Sequence, residues 1–163
     1  MDAEFMKQAI AEAEKNAASS FQDGGPFGAV IVKHSEIIAR AHNTVLASKD
    51  PTAHAEVNAI RAAAKNLGTH DLSGCVLYTS AEPCPMCLSA IIWANIKTAY
   101  YANTKEDTAE IGFRDDMIYD FIKGKGAETE TLKLTRLDLP EAIKTFQEFQ
   151  EFKERLYYCI CQA

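Results

Sequence analysis

The sequence predicts an α/β fold. Helical signals alternate with short apolar strand signals along the chain, and that alternation implies a sheet covered on both faces. The composition, 47% hydrophobic and 25% charged, is that of an ordinary soluble globular protein. The length of 163 residues suits one domain, with no internal repeat, low-complexity segment or linker to divide it.

The elements follow in order. Phe5, Met6, Ala9, Ile10 and Ala13 recur at helical spacing, so residues 3 to 19 read as an amphipathic helix ended by QDGGP. FGAVIVK and EIIARAHN are β-rich runs joined by a short HSE turn, which reads as a hairpin. A helix then opens at 50–51, with Asp50 as cap and Pro51 in the first turn, and stops at Gly68. CVLYTS, residues 75–80, reads as a buried strand. EPCPMCLSAIIWAN reads as a helix with Pro83 and Pro85 near its start, and Met86 and Trp93 as core residues of it. KTAYYAN is a strand, DDMIYDFIKGKG a helix, ETLKLTRLD a further strand, and Pro140 to about Tyr158 a final helix.

The totals exclude several functions. No apolar run approaches the roughly 18 residues of a membrane span, and MDAEFMKQAIAEAEK is too polar for a signal peptide, so a cytoplasmic protein is expected. The formal charge is −6, and the nearest approach to a basic cluster is Lys123 with Lys125. A nucleic-acid binder usually carries a basic stripe, because neutralising phosphates supplies much of its affinity. A small-molecule substrate is therefore expected. Five cysteines, an odd number, argue against a disulfide framework and for metal binding or burial.

Cys84 and Cys87 are three apart at the start of a helix, so their sulfurs share one face and can grip one ion. The helix N-terminus favours their thiolate form. His54, expected in the first turn of another helix, can supply a third ligand, and two sulfurs with one nitrogen suit Zn²⁺. A structural zinc usually takes four protein ligands, whereas a catalytic zinc keeps one position for water. Cys75, Cys159 and Cys161 lie away from these motifs, which leaves a position open. At a helix mouth Glu56 can then reach the bound water, whose pKa the metal lowers to about 7, and shuttle its proton. Alone, His54 and Glu56 mean little, and a metal that only staples the fold is the bland alternative. Together, with Pro83 ahead of the cysteines, they spell H-x-E…P-C-x-x-C, the signature of zinc nucleobase deaminases.

The chain thus resembles the cytidine/deoxycytidylate deaminase superfamily. GGPFGAVIV, DPTAHAEVNAIRAA, LYTSAEPCPMCLSAIIWA and GFRDDMIY are similar to the bacterial-type guanine deaminases within it, over about residues 3 to 122. The resemblance implies a three-layer α/β/α fold around a five-stranded mixed sheet of the cytidine deaminase-like kind. It implies one zinc per subunit with water as fourth ligand, attack of that water at C2 of guanine, and release of ammonia to give xanthine. Glu56 would carry the protons, and backbone N–H groups near Glu82 to Cys84 would steady the intermediate.

The resemblance also implies that Asn43 holds a base edge, with a turn-forming role as the alternative, and that Phe27 packs on the purine. Asp115, with Asp116 beside it, would help recognise or protonate the base; Arg114 departs from the family's GFDD. Close relatives are dimers in which the C-terminal segment crosses to the partner, so a homodimer is implied in which the helix from about 140 to 158 is exchanged. Tyr158 would close the site, with Tyr157 behind it, although the CICQA tail is a departure and Phe146, Phe149 and Phe152 also suit simple packing. His34, His42 and His70 read as surface or turn residues. Three rivals stand beside guanine deamination. They are guanosine deamination, tRNA adenosine deamination, which the acidic charge disfavours, and a non-enzymatic scaffold stapled by zinc.

Overall fold

A computed structural model describes residues 2–124, 130–137 and 139–151. The chain divides after Asp115 into two compact units. The first is a mixed four-stranded sheet with helices on both faces. Its elements are α1 (Asp2–Ala18), β1 (Gly28–Lys33), β2 (Glu36–His42), α2 (Val45–Ser48), α3 (Ala55–Leu67), β3 (Val76–Ala81), α4 (Pro85–Trp93), β4 (Thr98–Asn103) and α5 (Lys105–Glu110).

The strand order is β2-β1-β3-β4. β1 runs antiparallel to both β2 and β3, with Gly28 opposite His42 and Ala29 opposite Thr79. β3 and β4 are parallel and joined through α4, with Leu77 opposite Ala99. His34 and Ser35 form the hairpin turn with positive φ of 50° and 64°.

The pleat of β1 divides the core. Ala29 and Ile31 pack with Leu77, Ile91 and the alanines of α3, while Val30 and Val32 pack with Ala9 and Tyr78. Alternate side chains of a strand point to opposite faces, so α1 covers one face and α3 with α4 the other. Two sequence choices let the helices lie close. Ala55, Ala59 and Ala63, four apart, give α3 a flat buried stripe. Gly28 gives α1 its seat, since a Cβ there would run into the Ala9 carbonyl and the Ala13 amide.

Gly68 ends α3 in the left-handed conformation, its N–H returning to the carbonyls of Ala64 and Lys65. The start of that helix differs from expectation. Asp50 caps no helix, because its carboxylate accepts from both the N–H and the hydroxyl of Thr52 and closes a local turn. The helix therefore begins at Ala55, with His54 as the N-cap. Trp93 is 53% exposed and not in the core, because Cys87 and Ile91 form the inward face of α4 while Leu88, Ile92 and Trp93 look away. Every residue of β4 is exposed, so this edge strand lacks the cover expected on both faces.

The second unit contains α6 (Asp116–Lys123), a 3-10 turn over Pro140–Ile143 and α7 (Lys144–Glu151). The expected fifth strand is absent among the described residues. Residues 130–137 are irregular, and Leu132, Leu134 and Leu137 are exposed. Alternating apolar residues make a strand only where a neighbouring strand takes up their backbone groups, and residues 130–137 pair with none among the described residues. No described helix is long and apolar enough to cross a membrane.

Candidate functional site

Two helix starts converge. His54 is the N-cap of α3 and Cys84 the N-cap of α4, both in extended backbone, and neither side chain caps its own helix. His54 Nδ1 instead lies 3.6 Å from Cys84 Sγ and 3.5 Å from Cys87 Sγ. The three ligand atoms all fall within 4.8 Å of one another. Two soft sulfurs and an imidazole nitrogen at that spacing are a donor set that fits Zn²⁺.

The electrostatics of the three residues are consistent with a cation site. The Cys84 thiol is drawn down to about 4, first by the hydrogen bond from Cys87 and then by its contact with His54. Donating that hydrogen bond, together with burial and the nearby Glu56 carboxylate, pushes the Cys87 thiol up. His54 is raised by its bond to Cys84, against the opposing effect of burial. A divalent cation held by both sulfurs would displace the proton that they share.

Glu56, in the first turn of α3, is buried, and its Oε2 accepts from Cys87 Sγ at 3.4 Å. Burial pushes its carboxyl up, and the Cys84 thiolate adds to the rise. Residues two apart on a regular helix point to different faces, and the extended backbone of His54 removes that constraint. Because His54 stands outside the first turn, its ring and the Glu56 carboxylate reach the Cys87 sulfur together although they are two apart in sequence.

His54 also forms part of the wall of a cavity of about 560 Å³, a volume usual for small-molecule sites. Asn43 and His54 are the only polar side chains in this wall, which is otherwise apolar and includes Phe21, Phe27, Leu46 and Phe113. Phe27 and Phe113 meet edge to face at 5.0 Å and 87°. Gly25 lets the rings approach, since a Cβ there would touch both.

Asn43 Oδ1 accepts from the Val45 N–H at 3.1 Å, which is the turn, and the residue is part of the cavity wall, with no acceptor for its Nδ2 among the described residues. Phe27 is likewise both a cavity wall and a partner of the core. Of the backbone donors expected near Glu82 to Cys84, the Glu82 N–H is taken by the Asn103 carbonyl and Pro83 has none. The Cys84 N–H is the one that remains.

Asp115 is half-buried just before α6 and is not part of the cavity wall; Asp116 begins α6 in the second unit. Tyr157 and Tyr158 lie outside the described residues. Sequence reasoning missed Phe113 and Phe21. Phe113 stood in the quoted GFRDD stretch, but nothing in the sequence showed that its ring meets Phe27. Phe21 carried no signal, and it holds a positive φ of 59°, a conformation rare for a bulky side chain and often found at functional sites.

Comparison with known proteins follows the same lines. Residues 1–103 match the family described as the cytidine and deoxycytidylate deaminase zinc-binding region. The guanine deaminase of Bacillus subtilis (strain 168) is 48% identical over 154 residues, covering 94% of this chain and 97% of that protein. The X-ray structure of guanine deaminase from Bacillus subtilis superposes with a TM-score of 0.90 at 47% identity, over 96% of this chain and 98% of that one. A structure of guanine deaminase from Nitrosomonas europaea gives a TM-score of 0.62 at 35% identity, over 68% and 63%. The tRNA-specific adenosine deaminase of Aquifex aeolicus is 46% identical, but over 60% of this chain and 63% of that protein.

Proposed function

The chain belongs to the cytidine and deoxycytidylate deaminase family, and from that premise we propose that it is a zinc-dependent hydrolase that deaminates guanine to xanthine and ammonia. The observation that carries this reading is the convergence of His54, Cys84 and Cys87 beside a buried Glu56, with His54 also in the wall of an apolar cavity of purine-compatible size. The matched length points the same way, since the likeness to the guanine deaminase runs through 94% of the chain and that to the tRNA-specific enzyme through 60%.

Zinc, held by His54, Cys84 and Cys87, supplies a water of lowered pKa. The rest of the chemistry falls to the chain. Glu56 takes one proton from the attacking water and passes it to the ring nitrogen, then moves the remaining proton of the added hydroxyl to the departing amine. Its burial and its place against the Cys87 sulfur, within reach of a water at the same ion, suit it to that exchange. Asn43 Nδ2 donates to the base edge, and Phe27 with Phe113 forms an aromatic wall against which the ring packs. The Cys84 N–H donates to the oxygen that adds to the reacting carbon, while the electron pair displaced from the C=N bond goes to the ring nitrogen that Glu56 protonates.

The remaining assignments rest on the family resemblance. Asp115 aids recognition or protonation of the base. The chain acts as a single deaminase domain in a cytoplasmic homodimer, with the helix from about 140 to 158 exchanged and Tyr158 closing the partner's site.

Ammonia release from zinc-loaded protein, offered guanine, guanosine, adenine, adenosine and cytosine separately, tests the function. Release from guanine alone is expected. Preference for guanosine would keep the chemistry and change the substrate, and silence on all five at full zinc occupancy would overturn the reading.

A further inference from the structure

We propose that Asn16 and Asn58 are positioning residues whose side-chain amides clamp Asn43 and the residues on both sides of it, and so fix it as the base-recognising group. The proposal rests on the reading of the cavity as a guanine site, and neither residue is part of the cavity wall.

Asn16 is fully buried near the end of α1. Its Nδ2 donates to the Gly25 carbonyl at 2.6 Å and to the Asn43 carbonyl at 2.8 Å. An amide nitrogen carries two hydrogens, and both are spent tying the loop before Phe27 to Asn43. Its Oδ1 is buried and finds no donor among the described residues. A residue kept for packing alone would be better served by leucine, which leaves no polar atom unsatisfied. What asparagine contributes here is the pair of donors. A reversed amide would set oxygen against two carbonyl oxygens, so the orientation is fixed. The Asn16 carbonyl also accepts from the N–H of Phe21, another cavity wall, at 2.6 Å.

Asn58 grips from the other side. It sits on α3, where its N–H closes the first helical bond to the His54 carbonyl. Its Nδ2 lies 3.1 Å from the His42 carbonyl, 2.9 Å from the Thr44 hydroxyl and 3.2 Å from the Ala53 carbonyl. Asn43 is thus anchored to α1, and its neighbours His42 and Thr44 to the helix that carries Glu56. Asn43 itself donates its N–H to the Phe27 carbonyl at 3.0 Å and accepts at Oδ1 from Val45. Every one of these bonds constrains the residue while leaving Nδ2 available. A displacement of about 1 Å in a positioned group is enough to lose much of its contribution.

The test uses zinc-loaded full-length protein carrying Asn16→Leu or Asn58→Ala, each alone and combined with Asn43→Ala. KM for guanine is expected to rise about ten-fold with kcat little changed and zinc content full, as for lost uniform binding. In the Asn43→Ala background each substitution should add less than about two-fold, because residues acting through one group are not additive. A merely structural role would lower kcat and Tm at constant KM. Hydrogen exchange gives a second readout that needs no turnover. The N–H groups of Asn43, Thr44 and Val45 should lose protection in both variants while β1 and β3 keep theirs. Unchanged protection at 43–45 in both variants overturns the clamp whatever the substrate, and so do KM effects that add in full. A wild type that leaves guanine untouched overturns the functional reading, while exchange still judges the clamp. Asn58 is half-buried, so its variant stays informative if Asn16→Leu fails to fold.

Discussion

Cys87 Sγ lies 3.4 Å from Glu56 Oε2, so the second cysteine of the metal set and the buried carboxylate are in direct contact. The carboxylate therefore stands where it can serve a water held at the same ion, without itself being needed as a ligand.

Glu56→Gln keeps the shape of the side chain and removes its ability to carry a proton. Zinc content and melting temperature should stay close to those of the wild type, while turnover of guanine falls by about 10²–10⁴, the usual worth of a positioned acid–base group. Ammonia release at the wild-type rate would show that Glu56 has another role.

Removing the metal separates catalysis from scaffolding. Neither hydrophobic cluster of the sheet includes His54, Cys84 or Cys87. Chelated protein, and a Cys84→Ser variant, should lose zinc and activity yet keep their far-ultraviolet circular dichroism, with Tm falling only by the binding contribution. Global unfolding on chelation would favour the zinc-stapled scaffold.

Gly28→Ala tests the seating of α1. The added Cβ meets the Ala9 carbonyl and the Ala13 amide, backbone atoms of a helix that cannot rotate aside. Overpacking of this kind costs about 1–3 kcal/mol, and thermal melts should register it as a drop of several degrees. An unchanged melt would mean that α1 shifts along the sheet freely.

Asn43→Ala should raise KM for guanine about ten-fold with kcat nearly unchanged, since a contact made alike in ground and transition states is lost. Gly24→Ala should move KM in the same direction. Its Cβ would strike Asn43 Oδ1 and displace the amide. Steady-state kinetics on the two variants checks the pair, and a normal KM in Gly24→Ala would mean that the amide has room to adapt.

Much of this was legible along the chain. The two cysteines at a proline-led helix start carried their own meaning, because three-residue spacing on a helix puts both sulfurs on one face whatever surrounds them. The hairpin, the β3 strand and the Gly68 stop were legible for the same kind of reason, each being set by local backbone preference. Local signals also misled. Asp50 bonded within its own turn instead of capping a helix, and Trp93, apolar like its neighbours, fell on the outward face of α4. Leu132 and Leu134 lay in a strand-like pattern with no strand beside them.

The sequence by itself determined the donor set, the α/β class and the apolar faces, because these depend on residue type and on separations within one helix or strand. Only the tertiary structure decided that His54 and the cysteines meet, that Phe113 turns its ring against Phe27, and that Asn16 reaches the carbonyl of Asn43. Those contacts join segments far apart in the chain, and their distances follow from how closely the helices pack on the sheet. A small residue such as Gly28 sets that closeness, and its importance is invisible until the helix it admits is in place.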